Sequence, residues 1–149
     1  MNPKFALIAL CAVVLSGCSM ATGMTALQVQ NGDVVSLVRL CSGIFSETVK
    51  LTTNAGGEAL ESWAFEDGAA ADVPLGDRED IIDLADTDRV TLITTVSSGH
   101  ANPVWFTASD LEDLPDGEVL VGGSESEEPM TVTRPEFDAL ALDQCDSIE

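Results

Sequence analysis

The first eighteen residues, MNPKFALIALCAVVLSGC, constrain the fate of this chain more than any other stretch. Lys4 supplies a positive start, and Phe5 to Leu15 form an apolar run of about eleven residues. A helix that crosses the ~30 Å hydrocarbon layer needs roughly 20 residues, so this run does not span it. A charged start, a short apolar stretch and then small residues form the pattern of a secretory signal peptide, expected as a helix ahead of the folded domain.

The end of that segment reads Leu15-Ser16-Gly17-Cys18. All four positions, behind the apolar run, resemble the lipobox of bacterial lipoproteins. The resemblance implies a diacylglyceryl group on the Cys18 thiol and cleavage of the bond before it, with Cys18 as the mature N-terminus. Two or more acyl chains, at ~0.8 kcal/mol per buried methylene, hold a protein stably on a membrane. It implies a bacterial cell envelope location, and Ser19, which is not Asp, points to the outer membrane in a Gram-negative host. The expected divisions are residues 1–17 as signal peptide, 18–25 as lipidated terminus and tether, and 26–149 as one domain. Ser19 to Thr25 (SMATGMT) has no aromatic or large β-branched apolar residue and reads as a tether reaching at most ~25 Å.

Charge excludes one class of partner. The 149 residues carry 26 acidic and 6 basic side chains, a formal charge of −20, and loss of Lys4 makes the mature chain more negative still. Nucleic acid binding needs clustered Lys and Arg, which are missing. The same deficit argues against electrostatic adhesion to anionic lipid.

Four cysteines sort by position. Cys11 lies in the apolar run and leaves with it, and Cys18 is the lipid site. Cys41 and Cys145 remain as an even pair in an exported domain, for which a disulfide is the default. A free thiol pair and half of a metal site are the alternatives, and neither CxxC spacing nor a nearby His favours the metal. Closing a loop of about 105 residues contributes ~4–5 kcal/mol on the chain-entropy account.

Alternating segments predict strands at Thr48–Thr52, Ala59–Phe65 and Val90–Val96. Further strands are expected at Ala26–Gln30, Val34–Cys41, Val104–Thr107, Val119–Val121 and Met130–Thr133, with Asn31-Gly32 as a hairpin turn. Ala69–Arg89 reads as the longest connection, with one short helix around Glu79–Ala85. Ser109–Glu112 and Thr133–Glu136 have capping-box form; the first opens a very short helix, and Phe137–Leu142 is either a helix or a final strand. The sum predicts an all-β fold, a small antiparallel β-sandwich. Leu111 to Val119 (LEDLPDGEV) is similar to the corner of immunoglobulin-like and fibronectin type III-like sandwiches, where an L-x-P-x-G turn leads into a strand; the Tyr usual after that Gly is replaced by Val119.

Catalytic patterns are sparse. His100 is the single histidine, in a Ser-Ser-Gly-His-Ala-Asn-Pro stretch that reads as a solvated loop, and no G-x-S-x-G elbow accompanies Ser97, Ser98 or Ser109. No Walker A or G-x-G-x-x-G loop is present. Asp77, Glu79, Asp80, Asp83, Asp86 and Asp88 are the best candidates for Ca²⁺, a cation bound by hard oxygen ligands, although the EF-hand pattern fails. Acid spread along nearly the whole domain favours a generally hydrated surface instead. Trp63, Phe65, Phe106 and Phe45 are expected mainly in the core. Trp105, adjacent to Phe106 and so on the opposite face of a strand, is the candidate partner contact. The chain is therefore expected to be a lipid-anchored envelope protein with a non-catalytic binding or assembly module for a protein or polysaccharide. A Ca²⁺-dependent module is the alternative, and an enzyme ranks third.

Overall fold

The computed structural model describes residues 20–53, 58–64, 72–85 and 89–147. Its elements run β1 (Ala21–Gln30), β2 (Asp33–Leu40), β3 (Ser46–Thr52), β4 (Ala59–Ala64), β5 (Asp72–Asp77), α1 (Arg78–Leu84), β6 (Val90–Val96) and β7 (His100–Asn102), followed by β8 (Val104–Phe106), α2 (Ala108–Glu112), β9 (Val119–Val121), β10 (Met130–Val132) and α3 (Arg134–Asp146). The strands form two sheets: one ordered β10-β9-β1-β2-β5, with β7 also on β1, and a second ordered β4-β3-β6-β8. All pairings are antiparallel except β1 with β7, so the expected antiparallel two-sheet fold is present.

The β1–β2 hairpin closes at Asn31-Gly32, where both residues take positive φ (52° and 85°) and Gln30 pairs with Asp33. Two left-handed residues in a two-residue loop match the right-handed twist of the strands, as Asn-Gly predicts. Leu27, Val29, Val34 and Val38 face the second sheet and meet Val49, Leu51, Leu92, Val104 and Phe106 in the main core. Alternate residues of the same strands face the other way: Ala26, Val35 and Leu37, with Val119 and Val121, pack on Phe137 of α3. The central hairpin is thus buried on both faces, and α3 adds a third layer to the sandwich. Between the sheets the Thr25 and Thr94 hydroxyls bond each other at 2.6 Å, so neither polar group is left unsatisfied.

The undecided stretch after Thr133 is helical. Thr133 Oγ1 accepts from the Glu136 N–H and Glu136 accepts from the Thr133 N–H, while proline occupies the first turn. The helix buries only Phe137 and Ala141, a stripe too narrow to have decided helix against strand from sequence. The shorter helix, α2, starts earlier than expected, because Thr107 with Asp110, not Ser109 with Glu112, forms its capping box. Its Leu111, with Leu114 and with Ile81 and Ala85 from α1 and its C-terminus, closes one end of the main core.

Three expectations are corrected. The predicted tether is shorter, because Ala21–Thr25 are the first half of β1, paired with β2 and β7. Small residues suit this position: a Cβ on Gly23 would collide with Leu40 and the Arg39 backbone. The connection 69–89 contains a strand, β5, whose Pro74 and Gly76 sit where the register with β2 shifts. Proline is admissible there because β5 is an edge strand. His100 is not in a loop: it opens β7 and is half-buried.

Candidate functional site

The two ends of the sandwich carry different chemistry. At the lower end, where β1 begins, the chain enters the sheet between two neighbours. The Cys41 N–H donates to the Thr22 carbonyl at 2.9 Å, and the His100 N–H donates to the Met20 carbonyl at 3.1 Å. Thr22 Oγ1 donates to the Ser98 carbonyl at 2.6 Å. Gly99 has φ 70° and sits against the Met20 carbonyl and the Thr22 side chain, so only a hydrogen fits there. The loop between β2 and β3 is tied to the same place: the Phe45 N–H donates to Ser97 Oγ at 3.0 Å, and the Ser97 N–H to the Phe45 carbonyl at 2.9 Å.

The Cys41–Cys145 disulfide forms beside this junction, with Cα atoms 5.3 Å apart and a sequence separation of 104. It fixes the last turn of α3 to the end of β2. Gln144 assists: its Nε2 donates to the Gly23 carbonyl and its Oε1 accepts from Asn102 Nδ2, both at 3.2 Å. The expected pair is therefore joined, in the expected role of tying the last turn of the chain to an early strand. Cys18 lies outside the described residues.

At the upper end a shallow hollow of about 560 Å³ is lined by Gly32, Asp77, Arg78, Glu79 and Asp116. The Asn31 N–H donates to Asp116 Oδ1 at 2.6 Å, and the Arg78 N–H to the Gly32 carbonyl at 3.0 Å. Glu79 and Asp80 occupy the first turn of α1, where negative charge is favourable against the helix dipole. Asp83 lies one turn further on. Among the described residues no three His, Cys, Asp or Glu side chains converge as metal ligands. Asp86 and Asp88, the remaining members of the Ca²⁺ candidate set, lie outside the described residues. Asp110 is engaged as the capping residue of α2, its Oδ2 accepting from the Thr107 N–H at 2.8 Å.

Basic side chains are used inside the fold. Arg39 pairs with Asp72 and Asp138 and lies 5.7 Å from the centroid of the Phe137 ring, and Arg134 also pairs with Asp72. These bridges bind α3 to the β2–β5 edge. Arg78 Nη2 donates to the Leu114 carbonyl at 2.9 Å, and Arg89 Nη1 to the Ser124 and Glu127 carbonyls at 2.8 and 2.7 Å. Four arginines dispersed over such contacts form no phosphate-binding patch.

The aromatic residues divide as follows. Phe106 is fully buried and Trp63 packs against the core; Phe65 lies outside the described residues. Trp105 does face away from Phe106, but it is only half-buried on β8, its backbone N–H donating to the Gly122 carbonyl at 2.9 Å. Among the described residues the aromatic with large exposure is Phe45, at 60%, a residue expected mainly in the core. Sequence could not show this, because the loop carrying Phe45 is positioned by Ser97, 52 residues away. No protein-family model, curated protein or solved structure matches the chain. The likeness to immunoglobulin-like sandwiches therefore rests on Leu111–Val119. There the Asp116-Gly117 turn does lead into β9, with the Gly117 N–H on the Val29 carbonyl at 2.8 Å.

Proposed function

We propose that this chain is a lipid-anchored protein of the bacterial cell envelope whose domain is a non-catalytic binding or assembly module. The observation that carries this reading is the sequence Leu15-Ser16-Gly17-Cys18 behind Lys4 and a short apolar run. The fold supports it: β1 starts at Ala21, three positions beyond Cys18, so cleavage before Cys18 removes no residue of the described sheets. A disulfide between Cys41 and Cys145 also suits an oxidising compartment. The module's partner is an envelope protein or polysaccharide, and the acid-rich upper end, remote from the anchor, is free to meet it.

In-cell cross-linking and affinity pull-down of the full-length protein from membranes tests this, with Cys18→Ser as the mislocalised control. A discrete partner lost in the Cys18→Ser form is the expected result. Membrane association unchanged by Cys18→Ser contradicts the anchor, and no partner above background contradicts the module.

A further inference from the structure

We infer that the lower end of the sandwich rests directly on the lipid bilayer, with Phe45 and Met20 inserted at the boundary between headgroups and acyl chains. This rests on the reading of Cys18 as lipid-bearing and adds to it the surface that meets the membrane. Three residue steps separate Cys18 from Ala21, a reach of about 10–11 Å when fully extended. Ala21 cannot swing away from the domain, because β1 is paired on one edge with β2 and on the other with β7. The Cys18 thioether is attached to glycerol at headgroup depth, and the headgroup layer of one leaflet is only about 5–7 Å thick. The loops beside Ala21 are thereby brought against the membrane.

Those loops have the composition that this position requires. Phe45 is 60% exposed and Met20 53%. The Phe45 backbone is held by two hydrogen bonds to Ser97, so its exposed ring is presented from a fixed loop. Residues 34–46 and 89–109 contain no Asp or Glu, in a chain with 26 of them, and the loops 41–45 and 97–99 beside Ala21 fall inside those stretches. An apolar side chain on a charge-free loop, at the end from which the anchor leaves, fits an aromatic contact with the membrane interface. Glu47, Asp143 and Asp146 flank the loops, and Asp72, paired with Arg39, lies toward the same end. Their charges limit the contact to the interface, since an anionic leaflet repels them. Asp77, Glu79, Asp80 and Asp116 lie at the opposite end, where they avoid that repulsion.

The test uses full-length lipidated protein, purified from membranes and reconstituted into phosphatidylethanolamine–phosphatidylglycerol vesicles with or without brominated acyl chains. Phe45→Trp places a fluorophore at the lower end and Glu79→Trp one at the upper end; the unsubstituted protein supplies the background of Trp63 and Trp105. The added emission of Phe45→Trp is expected to fall by half or more in brominated vesicles, with that of Glu79→Trp unchanged. Protein that carries its lipid and floats with vesicles, but shows no quenching of Phe45→Trp, overturns the seat and leaves the anchor standing. Protein whose mass lacks the lipid and which does not float overturns the anchor and the seat together.

Discussion

At the end where β1 starts, backbone bonds from three segments, a disulfide and a glycine with no room for a side chain converge within a few residues of Ala21. At the opposite end, the Asn31-Gly32 turn, α1 and the Asp116-Gly117 turn meet around a shallow hollow bearing Asp77, Glu79 and Asp116. The first end is covalently closed, with an exposed aromatic and no carboxylate in the loops 41–45 and 97–99. The second is held by single hydrogen bonds and has its carboxylates in water. Composition alone suggested acid spread along nearly the whole domain. Within the described residues, the fold places two loops without Asp or Glu, 41–45 and 97–99, at the end where β1 starts, and the carboxylates of Asp77, Glu79 and Asp116 at the other.

The contrast can be broken most strongly at the disulfide. Cys41→Ala with Cys145→Ala is expected to cost about 2–5 kcal/mol in chemical denaturation. Amide exchange should rise first in the last turns of α3, because the helix otherwise holds to the sheet mainly through Phe137, Ala141 and the Arg39 and Arg134 bridges. Equal loss of protection across the whole domain would show that the bond does not act locally. Gly99→Ala follows, at about 2 kcal/mol or more, since it combines a left-handed backbone with a clash against Met20 and Thr22. Thermal melting of this variant beside Gly32→Ala sharpens the comparison: Gly32 also has positive φ but has open space around it, so it should lose less.

Between the ends, Thr25→Ala should cost about 1–3 kcal/mol by leaving the Thr94 hydroxyl buried and unpaired. Thr25→Val with Thr94→Val should recover part of that loss. The smallest effect belongs to the acidic end. Glu79→Gln is expected to change stability by no more than about 0.5 kcal/mol. The change is small because two effects oppose: the favourable charge at the helix N-terminus is lost, and repulsion in a chain of formal charge −20 is relieved. Added NaCl should raise the melting temperature by screening that repulsion, and a fall would contradict it.

Much of this was legible in the sequence for local physical reasons. Alternating residues marked β3 and β6 and Asn-Gly marked the hairpin, while the capping form of Thr133 and Glu136 left helix and strand both open for the stretch that follows. The unread parts depend on distant partners. Ala21–Thr25 lack aromatic and β-branched apolar residues, and they become strand because Leu40 and His100 lie alongside them. Pro74 and Gly76 argue against a strand until β5 is seen to be an edge. Exposure of Phe45 rather than Trp105 follows from which loops meet at the lower end, a property of the topology and of neither residue's neighbours in sequence.

The central claim, that Cys18 anchors this domain, is tested most directly by intact mass and N-terminal peptide analysis of the protein extracted from its own membranes. The account predicts a chain that begins at Cys18 and carries a diacylglyceryl thioether on that residue. A chain that retains Met1, or that begins beyond Cys18, or whose Cys18 thiol bears no lipid, contradicts it.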